Sequence, residues 1–136
     1  MPTRPFEKVR QDHATETAED YIEAVSEVLR EKGECRVGDL ARMIGVSHVT
    51  VTRIVSRLRD EGYVEKERYR PIQLTAVGKR LAEKSRKRHE TVLAFLLTLG
   101  VPEKEAEWDA EGIEHHVSEV TLKKMAAFTR EKEGSE

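Results

Sequence analysis

The chain has 136 residues, of which 37% are charged and 5% are aromatic. This length predicts one compact unit or two small ones, and the modest aliphatic core favours oligomerisation. No apolar run reaches the length of a membrane span, and the N-terminal residues lack the apolar core of a signal peptide. Cys35 is the only cysteine, which excludes an internal disulfide and predicts a cytoplasmic location.

Charge is distributed unevenly along the chain, although the net charge is only −2. Residues 36–90 contain 14 Lys and Arg against 7 Asp and Glu, whereas the other residues contain 10 against 19. A basic middle between acidic ends fits a DNA-facing surface beside a cation-binding surface. Solvated helix faces carry similar bias, so other features must decide between the two interpretations.

Apolar residues recur at helical spacing in six stretches, which predict helices over residues 15–32, 37–44, 48–61, 76–99, 102–116 and 119–130. Residues 1–14 show no such periodicity and are predicted to form a mobile tail. Residues 63–74 alternate like strands at both ends around a charged middle, which predicts a short hairpin. The second half of the long helix is apolar and predicts a dimer contact through Val92, Phe95 and Leu96.

The second and third predicted helices are joined by Gly45, Val46 and Ser47, which is the layout of a helix-turn-helix. Gly45 suits the left-handed position that ends a helix, and Ser47 is a good N-cap. The hairpin that follows makes the unit a winged helix. We therefore predict a mainly α protein, with an N-terminal winged helix-turn-helix at residues 15–75 and a helical metal-binding and dimerisation domain at residues 76–136.

Side chains able to contact double-stranded DNA lie on the third helix and on the wing. Those near the start of the helix are predicted to face base edges: Ser47, His48, Thr50, Thr52 and Arg53. Arg57 and Arg59, further along the helix, are predicted to face phosphates, while Arg68 and Arg70 at the wing tip are predicted to meet the backbone or the minor groove. The threonines can also cap or pack, and some winged helices bind proteins. The Gly turn, the apolar stripe and the cationic wing together favour DNA binding over protein binding.

Six potential metal ligands occur in three stretches of the chain: Asp20, Glu23, His89, Glu111, Glu114 and His115. Within a stretch they are three or four residues apart, so each set projects from one face of a predicted helix. Four carboxylates gathered in one place would repel one another, and two divalent ions would cancel their charge. Oxygen-rich ligation with imidazole suits Mn(II) or Fe(II). Each set taken alone is also typical of a solvated helix face.

These motifs resemble the diphtheria-toxin-repressor family, over nearly all of residues 15 to 130. The resemblance rests on residues 19–23, the winged helix, residues 88–90 and residues 109–117. It implies a homodimeric, metal-activated repressor with a two-metal site, whose ligands are the six residues above. Asp20 and Glu111 stand where the iron-responsive branch has a methionine and a cysteine, which favours manganese.

The resemblance therefore implies a manganese-responsive transcriptional regulator, mainly a repressor of manganese-uptake genes. It is expected to bind operator DNA as a dimer when two Mn2+ ions are bound per subunit, with Fe2+, Co2+, Zn2+ and Cd2+ as substitutes. No organic cofactor, membrane partner or enzymatic activity is expected. Three alternatives stay open: an iron-responsive repressor of the same family, a di-metal carboxylate enzyme, and a winged-helix protein that responds to an organic ligand.

Overall fold

The computed structural model describes residues 4–134 of the chain. Its helices are α1 (Pro5–Lys32), α2 (Val37–Ile44), α3 (His48–Asp60), α4 (Ala76–Thr98), α5 (Glu103–Ile113) and α6 (Glu119–Gly134). Strands β1 (Val64–Glu65) and β2 (Gln73–Leu74) lie between α3 and α4 and pair antiparallel. The prediction of a mainly α protein that begins with a winged helix-turn-helix is confirmed. None of the described helices is long and apolar enough to cross a membrane.

These elements belong to two compact units. The winged-helix unit comprises residues 17–83, and the helical unit comprises the residues up to Glu16 together with those from Lys84 onward. Both α1 and α4 therefore contribute residues to each unit.

The core of the winged-helix unit is formed by apolar side chains from α1, α2, α3 and the hairpin. Its fully buried members are Ile22, Val25, Cys35, Leu40, Val51, Leu58 and Ile72. The N–H of Ile72 donates to the carbonyl of Cys35 at 2.7 Å, which joins the hairpin to the connection between α1 and α2. Burial, and then the nearby Asp39 carboxylate, raises the pKa of the Cys35 thiol to about 11. Cys35 is therefore a core residue that stays protonated near neutral pH.

The start of α4 is fixed against the base of the wing by Thr75 and Gly78. The Thr75 hydroxyl donates to the carbonyl of Gly62 at 2.6 Å and accepts from the N–H of Gly78 at 3.1 Å, so Thr75 caps α4. A Cβ added at Gly78 would lie 2.1 Å from the carbonyl oxygen of Tyr63. Only glycine allows this close approach of helix and wing.

The helical unit has a small aliphatic core formed by α4, α5 and α6. Val92, Ala110 and Leu122 are its buried members. The rings of Phe95 and Phe128 meet edge to face, with centroids 5.6 Å apart. Val92 is completely covered by its own chain, so the prediction that it contacts a second subunit is wrong. An apolar stripe on a helix shows that the stripe is covered, but does not show which chain covers it.

Helix α1 begins at Pro5, about ten residues before its predicted start. Proline is favourable in the first turn of a helix, and Glu7 complements the positive end of the helix dipole. Lys8 pairs with Asp12 at 2.5 Å and donates to the carbonyl of His116 at 2.9 Å. The prediction of a segment without regular structure is thus wrong for residues 5–14, because polar contacts replace the missing apolar periodicity. Residues 1–3 lie outside the described residues.

Candidate metal centre

Three of the predicted ligands lie at the C-terminal end of α5. Glu111 is in the last turn of the helix, whereas Glu114 and His115 follow its end at Ile113. The N–H of Glu114 donates to the carbonyl of Ala110 at 3.0 Å, which keeps the turn close to helical geometry. The helix was predicted to continue to His116. The helix ends earlier, and the residues Glu114 and His115 are buried, with exposed fractions of 1% and 4%.

The fourth predicted ligand of this group, His89, reaches the same turn from α4. Its Nδ1 lies 3.0 Å from Oε2 of Glu114 and 3.4 Å from Oε1 of Glu111. Oε1 of Glu114 lies 3.6 Å from Nε2 of His115. The structure therefore brings four of the six predicted ligands together within the helical unit. We call these four residues the His89–Glu114 cluster.

The donor chemistry of this cluster fits a divalent cation. Burial of a carboxylate is unfavourable unless charge partners or hydrogen bonds compensate, and Glu114 is nearly inaccessible to solvent. His89, Glu111 and Glu114 each offer a ligand atom within 4.8 Å of the others. Carboxylate oxygens with imidazole nitrogens suit Mn(II), Fe(II) and other first-row ions.

The other two predicted ligands, Asp20 and Glu23, lie on the part of α1 that belongs to the winged-helix unit. The Asp20 side chain is exposed and that of Glu23 is half-buried. Their spacing of three residues places them on one face of the helix, as predicted. Their participation in metal binding stays a prediction.

Arg88 forms hydrogen bonds to the turn that carries the predicted ligands, a contact that the sequence did not reveal. Its Nε donates to the carbonyl of Glu114 at 2.9 Å, and its Nη2 donates to the carbonyl of Val117 at 2.7 Å. Its Nη1 lies 3.1 Å from Oε1 of Glu119. In the sequence Arg88 is one member of a basic run, and only its position before His89 sets it apart.

Glu107 is a further carboxylate close to this cluster. Its Oε2 lies 3.8 Å from Nε2 of His89, whereas Glu111 and Glu114 approach the other ring nitrogen. Glu107 precedes Glu111 by one helical turn, and that spacing is the sequence signal that could have identified it.

In the winged-helix unit, the start of α3 combines capping with exposed polar groups. Oγ of Ser47 accepts from the N–H of Thr50 at 3.1 Å and donates to its hydroxyl at 3.0 Å. These two side chains therefore hold the helix start, while those of His48, Thr52 and Arg53 are exposed. Val49, in the first turn of the same helix, is 79% exposed.

The predicted phosphate-contacting arginines are exposed. Arg57 pairs with Glu61 at 3.3 Å on the surface of α3. On the wing, the guanidinium of Arg68 lies 5.1 Å from the centre of the Tyr69 ring. Tyr69 is itself exposed and adopts a φ of 65°, which turns the chain at the wing tip. Arg70 follows directly, so the tip presents two cations and one aromatic ring.

A winged helix with an exposed polar surface on α3, in the same chain as a partly buried imidazole–carboxylate cluster, is typical of a DNA-binding protein that responds to a metal ion. Residues 13–72 match the family described as "Iron dependent repressor, N-terminal DNA binding domain". Residues 75–133 match "Iron dependent repressor, metal binding and dimerisation domain".

Similar proteins of known class agree with these matches. Transcriptional regulator MntR of Escherichia coli O157:H7 is 46% identical over 125 residues, which cover 92% of this chain and 81% of the relative. HTH-type transcriptional regulator MntR of Bacillus subtilis (strain 168) is 40% identical over 104 residues, which cover 76% and 73%. A solved "Manganese-dependent transcriptional repressor complex with manganese" superimposes with a TM-score of 0.74 at 28% identity, covering 82% of this chain and 52% of that one. This chain thus spans about half the length of that solved repressor.

The chain belongs to the iron-dependent repressor family, which is the diphtheria-toxin-repressor family indicated by the sequence. It is a metal-dependent transcriptional regulator and not an enzyme, as predicted.

Proposed function

We propose that this protein is a manganese-activated regulator, mainly a repressor of manganese-uptake genes, which binds operator DNA as a homodimer. The observation that carries the proposal is the His89–Glu114 cluster, in a chain that also presents a winged helix. Carboxylates at positions 20 and 111, rather than sulfur ligands, favour Mn(II) over softer ions. The similar solved repressor, which is described as manganese-dependent, agrees with this choice.

The proposed site holds two Mn2+ ions per subunit. Support for His89, Glu111, Glu114 and His115 as ligands comes from their mutual distances. Support for Asp20 and Glu23 is the sequence resemblance alone. Four carboxylates balance the charge of two divalent ions. Because affinity rises from Mn(II) toward the later metals, Fe2+, Co2+, Zn2+ and Cd2+ are expected to bind as substitutes.

Metal binding would reach the DNA-reading helix through the core of the winged-helix unit. Asp20 and Glu23 flank Ile22, which is fully buried in the same core as Val51 of α3. A restraint on these two carboxylates is therefore a restraint on the helix that packs against the reader. The coupling free energy equals the difference between the metal-binding free energies of the DNA-binding and non-binding conformations.

The proposed DNA contacts follow from exposure. His48, Thr52 and Arg53 face bases in the major groove, while Ser47 and Thr50 hold the start of α3 and meet the adjacent phosphates. The backbone contacts are those of Arg57, Arg68 and Arg70. A symmetric dimer would place its two reading helices about 34 Å apart, one turn of DNA.

The proposed dimer forms through the helical unit. Within residues 84–134 of this unit, four large apolar side chains are exposed in the single chain: Leu97, Leu99, Trp108 and Val120. They replace Val92 as the expected contacts. Sedimentation should show a dimer at micromolar concentration, whereas a monomer with and without Mn(II) would contradict this part of the proposal. As a regulator that acts on DNA, the protein is expected to work in the cytoplasm.

A selection experiment tests the proposed function and identifies the operator sequence at the same time. Duplexes are selected from random sequence with the Mn(II)-loaded full chain, and retention is then measured at fixed salt because phosphate contacts are salt-dependent. Retention should require Mn(II) and be lost with excess chelator. Stronger activation by Fe(II) under anaerobic conditions would favour the iron-responsive alternative. DNA retention that is unchanged by excess chelator would favour the alternative of a winged-helix protein that responds to an organic ligand.

A further inference from the structure

A second group of metal-binding side chains lies in the helical unit, apart from the His89–Glu114 cluster. His13 and Glu16 are in the early turns of α1, and His116 is in the turn after α5. Their ligand atoms all lie within 4.8 Å of one another. We propose that these three residues form a further site for a borderline divalent ion of the Zn(II) class.

The distances between the donors suit a shared ion. Nε2 of His116 lies 3.1 Å from Oε2 of Glu16, and the same oxygen lies 4.0 Å from Nδ1 of His13. Zn(II) binds nitrogen and carboxylate oxygen at about 2.0–2.2 Å, so two ligands of one ion lie at most roughly 4.4 Å apart. Both distances are below that limit. The two imidazole rings are 5.0 Å apart at 70°, so small rotations would point both nitrogens at one position.

The surroundings of His116 complete the arrangement. Its second nitrogen, Nδ1, lies 3.5 Å from Oδ2 of Asp12. With an ion on Nε2, the imidazole carries its proton on Nδ1, and that N–H points to Asp12. A metal-bound histidine commonly directs its other N–H to such a carboxylate.

Lys8 holds this outer layer in place. It pairs with Asp12 at 2.5 Å and donates to the carbonyl of His116 at 2.9 Å. Asp12 is therefore oriented by a cation on one side and by an imidazole on the other. This gives the early part of α1, which the sequence left without a role, a specific function.

The ligand types decide which ion is bound. Two imidazoles and one carboxylate are softer than the carboxylate-rich cluster proposed for manganese, and imidazole suits Zn(II), Co(II) and Ni(II). The His13 side chain is 63% exposed, while those of Glu16 and His116 are 25% and 29% exposed, so an ion can enter from solvent. Three protein ligands leave a position for water, and the filled site would attach α1 to the turn that carries Glu114 and His115.

The alternative is that the same residues form only an ion-pair contact. Measurement of the bound metal distinguishes a metal site from an ion-pair contact. The full chain is saturated with Zn(II) and dialysed, and bound zinc per subunit is measured for wild type, His13→Ala and Glu16→Gln. His48→Ala is the matched control, since it removes an exposed histidine from α3 instead. Circular dichroism checks that each variant is folded.

We expect wild type and His48→Ala to bind one more zinc ion per subunit than His13→Ala and Glu16→Gln. A crystal of the zinc-loaded protein should show anomalous scattering between Nδ1 of His13 and Nε2 of His116. Equal zinc counts in wild type and in either cluster variant would overturn the proposal and leave the ion-pair contact. The count concerns residues outside the proposed manganese ligands, so the two proposals fail independently.

Discussion

Nδ1 of His89 lies 3.0 Å from Oε2 of Glu114, a residue that is only 1% exposed. His89 comes from the middle of α4 and Glu114 caps α5, so this pair joins two helices of the helical unit. A carboxylate buried next to imidazoles favours either a shared proton or a shared cation. In a chain of this family the pair is the expected position of the proposed manganese ions.

The support of the Glu114 turn by Arg88 leads to a prediction about metal affinity. Arg88→Ala removes two hydrogen bonds to the turn carbonyls, and it should weaken Mn(II) binding by about 10–100-fold, as is typical for residues behind metal ligands. Arg88→Lys should rescue little, because an ammonium cannot reproduce the planar fork. The control is Arg86→Ala, which removes an exposed arginine paired with Glu90. If calorimetry showed that Arg88→Ala binds Mn(II) as tightly as wild type does, the supporting role of Arg88 would be contradicted.

Asp20→Met should move metal preference away from manganese. A thioether is a softer ligand than a carboxylate, so Mn(II) activation should fall more than activation by Co(II) or Zn(II). Asp20 is exposed, and the fold should therefore tolerate the change. The measurement is DNA binding across a concentration series of each metal, with Glu27→Met as the control on the same helix. An equal loss for all metals would show that position 20 does not select the ion.

Arg53 and Arg68 should differ in what they contribute to DNA binding. Arg53→Ala should weaken binding to the selected duplex by roughly 1–3 kcal/mol and leave binding to random DNA nearly unchanged, because a guanidinium near the start of α3 can read a base edge. Arg68→Ala, on the wing, should weaken both similarly and lower the salt dependence. Fluorescence anisotropy at several salt concentrations measures both. Equal losses on the two DNAs for Arg53→Ala would assign it to the phosphate backbone.

Two glycines should respond to alanine in opposite directions. Gly78→Ala places a Cβ against the carbonyl of Tyr63 and should lower the free energy of unfolding by about 1–3 kcal/mol or more. Gly112→Ala, in α5, meets no atom within 4 Å and should raise it by roughly 0.5–1 kcal/mol. Urea unfolding without metal provides the comparison. Similar stability of the two variants would show that α4 does not approach the wing as closely as described.

Local signals explain which parts of the fold could be predicted from the sequence. The bounds of α2 match the structure because Gly45 adopts the left-handed conformation that ends the helix, with a φ of 80°. Ser47 is predicted as a cap because a hydroxyl before an apolar-periodic stretch has a specific backbone partner, and its Oγ accepts from the N–H of Thr50 in the structure. These features depend on neighbouring residues only.

Contacts between distant residues explain what was missed. The start of α1 depends on polar contacts, such as that between Lys8 and the carbonyl of His116, which leave no apolar periodicity in the sequence. The burial of Val92 depends on Ala110 and Leu122, which its own stretch cannot reveal. Four of the predicted ligands lie close together, but Arg88 acts through backbone carbonyls and therefore carries no spacing pattern.

The most direct test of manganese control is a titration of DNA binding with Mn(II) at fixed salt. Wild type should gain affinity for the selected duplex as Mn(II) rises, and Glu105→Ala, an exposed change in the first turn of α5, should behave like wild type. Glu111→Ala and His89→Ala should lose the response while remaining folded dimers, since the Glu111 side chain is 58% exposed and His89 lies outside the apolar core. Metal-free Glu111→Ala should melt no lower than wild type, because one repelling carboxylate is removed. Unchanged manganese-dependent DNA binding by Glu111→Ala would contradict the assignment of this cluster as the manganese sensor.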